Sequence, residues 1–163
     1  MHKKARGTIG ETAIALELLK LGFNVFTEYG DLSKIDLIAE KHRKLFRIQV
    51  KSTTIRNNVV KLYTKKSGPN YKFEYHKDDI DFFAIYCEDT TAILWIPTSV
   101  ALKCKNCMYI RNIEPKNNQH NVHMFNEFNS LERVLRDYTQ DIQTDNAEDD
   151  DIAQTAMETV SEN

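Results

Sequence analysis

The sequence predicts an α/β fold in which a mixed central β-sheet is flanked by helices. Three observations carry this. An early stretch, GTIGETAIALELLKLGF, repeats apolar residues at helical spacing, with Ile14, Leu18 and Leu21 on one stripe and Ala15 beside them. Short strand-like runs follow it, the third of which alternates apolar Phe46, Ile48 and Val50 with polar Arg47, Gln49 and Lys51. Two strongly apolar runs, DIDFFAIYC and TAILWIP, then lead to a last helical pattern. Helix, strands, more strands and a final helix build helices against a sheet.

Taken in order, the first helix runs from about Thr8 and is stopped by Gly22 as its C-terminal cap. Residues 23–28 (FNVFTE) read as a short strand and YGDLS as a loop. Ser33 through Glu40 is the next strand, KHRK a polar turn, and Leu45 to Thr53 the third strand, so the last two form a hairpin. NNVVKLYT suits an edge strand and KKSGPN a loop. DIDFFAIYC is the most buried-looking run and joins TAILWIP through the turn EDTT. A short helix around Ser99 to Lys103, a strand MYIRNI, the loop EPKNNQHN and a helix over SLERVLRDY complete the order.

Composition bounds the answer. The 163 residues suit one domain with a real core, and 41% hydrophobic with 28% charged residues is ordinary for a soluble globular protein. The net charge of -2 hides an asymmetry. All 22 Lys and Arg lie at or before Arg136, against 16 Asp and Glu up to residue 140, whereas 8 acids and no base follow. The body is thus modestly basic, which suits a polyanionic partner. Residues 1–138 are expected to form the domain, and the acidic stretch 139–163, without aromatics, to be a disordered tail. The start MHKKARG lacks the apolar run of a signal peptide, and no stretch approaches a membrane span, so a cytoplasmic protein of prokaryotic or phage type is expected. Three cysteines, Cys87, Cys104 and Cys107, cannot all pair.

Chemistry concentrates in the first half. Gln49 and Lys51 stand two apart on one strand, so they share a face about 7 Å apart. Asp36 interrupts an apolar run on the adjoining strand and lies beside them if the hairpin register allows. Glu11 precedes Ile14, Ala15 and Leu18 by three, four and seven residues and shares their stripe. Hard divalent ions bind through such oxygens: the Asp36 carboxylate, the Gln49 amide, the Val50 carbonyl, and Glu11 through a water. In phosphodiester cleavage at such an ion, Lys51 would orient the attacking water and offset phosphate charge. Singly, each residue has a plainer role: Asp36 as an acceptor near a turn, Lys51 as an edge-strand charge, Glu11 as a favourable first-turn acid.

A helix Glu, an Asp on one strand and an acid or amide, any residue, then Lys on the next resembles the PD-(D/E)-x-K nuclease superfamily, the restriction-endonuclease fold. GTIGETAIALELLKLGFNVF, KIDLIAE, LFRIQVKSTT, DIDFFAIYCEDTTAILWIP and EPKNNQ, in that order, are similar to its small branch with Gln for the second acid, which includes a bacterial group I intron homing endonuclease. The resemblance spans roughly residues 5 to 135. It implies a restriction-endonuclease-like core with Glu11, Asp36, Gln49 and Lys51 as catalytic positions. It also implies Mg2+ as cofactor, with Mn2+ as a substitute, and site-specific hydrolysis of double-stranded DNA. Ile35 stands where Pro is common, and Gln49 removes one negative charge from the metal site. A Holliday-junction resolvase and a restriction or repair nuclease share this fold. A DNA-binding module that has lost catalysis is the reading that Gln49 suggests.

Cutting both strands needs two sites, so a homodimer or homotetramer is expected. The stretch RNNVVKLYTKKSGPNYKFEYHK supplies Arg56, Lys61, Lys65, Lys66, Lys72 and Lys77 as candidate DNA contacts, while its Tyr71, Phe73 and Tyr75 are expected to pack. Cys104, Cys107, His120 and His123 approach zinc-finger spacing, but the His pair is too close and no helix lies between the pairs. Free thiols and loop histidines are expected instead. No Gly-rich phosphate loop is present, so no nucleotide cofactor is expected.

Overall fold

A computed structural model describes residues 2–29, 33–68, 71–114 and 122–137. The chain divides into two units, Met1–Ser130 and Leu131–Asn163. In the second, residues 131–137 are helical, within the run expected to be the last helix. The stretch 139–163, expected to be a disordered tail, and most of EPKNNQHN lie outside the described residues. The elements below belong to the first unit. Among the described residues no helix is long and apolar enough to cross a membrane.

Helix α1 spans Lys3–Lys20. It begins five residues before the expected start, because the His2 ring caps it by accepting from the Lys4 N–H and Ala5 and Arg6 are good helix formers. Its end is the expected one. Gly22 sits at φ 78° and donates to the Leu19 carbonyl, while the Phe23 N–H reaches Leu18, which is a Schellman motif. Gly10 brings the helix close to the sheet, since a Cβ there would stand 2.0 Å from the Ser52 Oγ and 3.6 Å from the Tyr86 Cβ. Ser52 in turn donates to the Arg6 carbonyl at 3.0 Å.

The main sheet has five strands in the order β1 (Asn24–Thr27), β2 (Leu37–Lys41), β3 (Lys44–Thr53), β7 (Phe82–Cys87) and β8 (Ala92–Pro97). The β3–β7 pair is parallel and the others antiparallel, so the sheet is mixed as expected. The two-residue turn His42-Arg43, both at positive φ, joins β2 to β3 as a hairpin. Phe82, Phe83, Ala84, Ile85 and Cys87 are all buried, the continuous apolar run of a strand covered on both faces.

Strand β2 starts only at Leu37, later than the sequence suggested. Ser33 diverts the chain first: its hydroxyl donates to the Ile35 carbonyl and accepts the Ile35 N–H, which competes with ladder pairing. Strand β4 (Val59–Tyr63) is an edge of a three-stranded sheet with β9 (Cys107–Arg111) and β10 (His123–Met124). Lys65–Gly68, read from the sequence as loop, is strand β5, paired with β6 (Tyr71–Glu74) and held by a cross-strand ion pair between Lys65 and Glu74. Short helices α2 (Thr98–Ala101) and α3 (Phe125–Phe128) close the unit. The core between β7, β8, β4 and β9 gathers Phe83, Ile85, Leu94, Ile96, Val60, Leu62, Met108 and Ile110, with Tyr75 among them.

Candidate active site

Register decides the centre of the site. Leu37 pairs with Ile48, and one step earlier the Asp36 N–H donates to the Ile48 carbonyl at 2.9 Å. Asp36 therefore lies opposite Gln49. Its Oδ2 accepts the Val50 N–H at 2.6 Å and the Gln49 Nε2 as well. The carboxylate is thus fixed by a backbone donor, not only by a flexible side chain. Gln49 is 7% exposed, and its Nε2 also lies 3.4 Å from the Val50 carbonyl.

The sequence placed Gln49 and Lys51 on one face, and a third residue joins them there. The Tyr75 hydroxyl donates to Gln49 Oε1 at 2.6 Å, and Lys51 Nζ donates to the same hydroxyl at 3.0 Å. The ammonium also sits 5.3 Å from the Tyr75 ring centroid. A chain of hydrogen bonds thus runs from Lys51 through Tyr75 and Gln49 to Asp36. Tyr75 is 3% exposed, and burial together with the charges of Asp36 and Asp79 pushes its phenol well above the usual range, so it remains a donor. The sequence indicated packing for Tyr75, which is half its role; nothing local signals the hydroxyl bonds, because Gln49 lies 26 residues away.

Lys34 ties this corner together. Its Nζ donates to the Glu74 carbonyl at 3.0 Å and to Asp79 Oδ2 at 2.5 Å, while Asp79 accepts the His76 N–H at 2.7 Å. The segments leading into Asp36 and flanking Tyr75 are therefore pinned to one another. The Lys34 hydrogen bond holds the Asp79 carboxyl below its ordinary value, despite an opposing contribution from burial. Arg47 performs a similar clamp further along β3, with Nη2 2.8 Å and Nε 3.1 Å from the two Asp81 oxygens.

Glu11 comes from another element. It is half-buried on α1, one residue after the Gly10 that abuts Ser52, and on the stripe of buried Ile14 and Leu18. Ser52 faces α1, so by strand alternation Gln49 and Lys51 project from the other face of β3. Among the described residues no three His, Cys, Asp or Glu side chains gather into a metal-binding group. A cation at Asp36 would therefore draw on the Gln49 amide and a backbone carbonyl. These are oxygen donors of the kind a hard divalent ion takes. The fit has one condition: Gln49 now turns Nε2, not Oε1, toward Asp36, so its amide must rotate to serve as a ligand.

A cleft of about 520 Å³ opens at the C-terminal end of β3, lined by Lys51, Ser52, Thr53 and Thr54, by Arg56 and Asn57, by β4 residues including Lys61, and by Arg6 of α1. Arg56 is set by a tight turn, in which Asn57 and Asn58 take positive φ and Arg56 and Val59 exchange backbone bonds at 3.0 Å. Arg6, which sequence reasoning did not single out, is oriented by Glu88 at 2.6 Å. Of the expected DNA contacts, Arg56 and Lys61 line this cleft. Lys65 is spent on Glu74, and Lys77 is exposed on the turn before β7. The side chains of Lys66 and Lys72 lie outside the described residues. Cys104 and Cys107 are free thiols, and His123 contacts Glu127; His120 lies outside the described residues.

Comparisons with known proteins bear on the family and the fold. Protein 5.3 of Escherichia phage T7 is 30% identical over 108 residues, which is 65% of this chain and 90% of the phage protein. The solved structure of a bacterial homing endonuclease, I-Ssp6803I, superposes with a TM-score of 0.61 at 23% identity, over 74% of this chain and 84% of that one, so the two share a fold. The family model for PD-(D/E)XK endonucleases matches residues 1–131, from α1 through every element of the site, and the chain belongs to that nuclease family.

Proposed function

We propose that this protein is a Mg2+-dependent endonuclease that hydrolyses phosphodiester bonds at specific sites in double-stranded DNA, in the manner of a homing endonuclease. The observation that carries this reading is the continuity of Lys51 with two surroundings. Its head group bonds into the Asp36–Gln49–Tyr75 chain, and the residue also lines a cleft shared with Arg6, Arg56 and Lys61. A phosphate backbone in that cleft would meet these cations, and Lys51 links them to the Asp36 carboxylate through Tyr75 and Gln49.

Each residue then has a task. Asp36 would hold the metal directly, Gln49 after its amide turns and the Val50 carbonyl would add oxygens, and Glu11, which belongs to α1 on the other face of β3, would act only through a water. Lys51 orients the attacking water and offsets charge on the phosphate. A bound Mg2+, for which Mn2+ can substitute, supplies stabilisation of the attacking and leaving oxygens. Because one chain carries one site, both strands are cut by a homodimer or homotetramer. The likeness to a homing endonuclease supports site-specific cleavage.

The test is cleavage by the purified protein in Mg2+ or EDTA, on linear duplexes spanning the DNA that flanks its own gene and on a four-way junction, with Lys51→Ala beside it. Discrete duplex cuts lost in EDTA and in the variant are expected. Cuts confined to the junction would replace this reading by a resolvase. Tight duplex binding without any cut would identify a binding module whose Gln49 amide stays turned to Asp36.

A further inference from the structure

We propose that Tyr75 is a positioning residue of the nuclease site, whose hydroxyl holds the Gln49 amide and the Lys51 ammonium in one arrangement beside Asp36. This rests on Asp36, Gln49 and Lys51 being the reacting centre. The direction of the hydrogen bonds follows from counting protons. An ammonium only donates, so the Tyr75 oxygen accepts from Lys51 at 3.0 Å. The single phenol proton then goes to the other neighbour, Gln49 Oε1, at 2.6 Å. With its oxygen so occupied, the amide presents Nε2 to the Asp36 carboxylate. The opposite amide orientation would set Oε1 against the carboxylate oxygen and Nε2 against a hydroxyl that already takes a proton from Lys51. Only one sense satisfies all four groups at once.

The hydroxyl can impose this because the ring cannot move. Phe73 and Phe83 meet it edge to face, with centroids 4.9 and 5.0 Å away. On the backbone, the Lys34 ammonium holds the carbonyl of Glu74 on one side, and Asp79 holds the His76 N–H on the other. A fixed phenol therefore sets two mobile side chains that are not neighbours in sequence. The consequence is a brake on Gln49: turning its oxygen toward Asp36 requires release of the Tyr75 bond. The same bond keeps the Lys51 head from swinging out into the cleft.

Tyr75→Phe isolates the role, because it keeps the ring and deletes the oxygen. The expected change is a fall in kcat on the order of 10- to 100-fold because the Lys51 head loses its anchor, with KM for the duplex nearly constant, as for loss of alignment between reacting groups. The freed Gln49 amide turns to Asp36 more readily, so the Mg2+ concentration that gives half the maximal rate should fall. In a Gln49→Ala background the shift in Mg2+ requirement should vanish while the fall in kcat remains. A second readout needs neither metal nor activity. In the metal-free wild type, the two Gln49 side-chain NH signals should be displaced from those of an exposed glutamine and exchange slowly with water, and in Tyr75→Phe they should move toward the exposed values. Unchanged amide signals in the variant would overturn the proposal, and so would a changed amide with unchanged kcat. If the wild type cuts no DNA, the nuclease reading fails and the amide signals alone decide whether Tyr75 holds Gln49.

Discussion

A Cβ placed on Gly10 would stand 2.0 Å from the Ser52 Oγ, which is itself hydrogen-bonded to the Arg6 carbonyl. The helix carrying Glu11 thus rests on the strand carrying Gln49 and Lys51 through a contact that only glycine permits. Gly10→Ala should lower stability by roughly 1–2 kcal/mol, although alanine is the better helix former by about 1 kcal/mol. In a Ser52→Ala background the contacts left are ordinary ones, the residue-52 Cβ at 3.4 Å and the Tyr86 Cβ at 3.6 Å, and the same change should be neutral or stabilising. Urea unfolding of the four proteins closes the cycle; additive effects would mean that the contact does not constrain the helix.

Gln49→Glu would replace an amide that donates to Asp36 by a second carboxylate. Without metal the two charges repel in a buried corner, and the variant should be less stable by about 1–3 kcal/mol. Millimolar Mg2+ should then raise its Tm more than it raises that of the wild type. Melting curves in Mg2+ and in EDTA measure this, and equal shifts would place the metal away from residue 49.

Arg56 and Lys61 line the cleft, whereas Lys65 is engaged by Glu74. Each of Arg56→Ala and Lys61→Ala should weaken duplex binding regardless of sequence and reduce the slope of log K against log salt by about 0.9. Lys65→Ala should do neither. Affinities across a salt series check this, and an unchanged slope for the first two would exclude them from phosphate contact.

The Lys34–Asp79 pair gives a pH signature. Asp79 titrates below its ordinary 3.8 in the folded protein because Lys34 donates to it. Its stabilising contribution is therefore present above about pH 4 and is lost as pH falls through the lower folded value. Asp79→Asn should cost about 1 kcal/mol or less at pH 7, as expected of a partly exposed pair. The difference from wild type should close below pH 3.8. Unfolding at pH 7 and pH 3 tests it, and a constant difference would mean that the charge is not what matters.

How much of this was readable before folding depends on the range of each interaction. Apolar spacing in α1, the Gly22 stop, the alternation of β3 and the solid run of β7 are local properties, and the fold class followed from them. Gln49 and Lys51 share a face because a strand repeats every two residues, so half of the site was legible as well. The missed strand Lys65–Gly68 lacked a local signal, since it is set by its pairing with residues 71–74.

The sequence alone thus determined the fold class and the periodic faces on which the candidate site residues stand. Tertiary structure decided how they meet. The step from the Leu37–Ile48 pair set Asp36 against Gln49, and Arg6 reached the cleft beside Lys51 only because α1 packs its Gly10 on Ser52. Tyr75 joined Gln49 and Lys51 only when its segment folded against the sheet. The physical reason is distance along the chain: backbone geometry fixes neighbours two to four residues apart, while contacts across tens of residues are set by strand order, register and the close approach of whole elements.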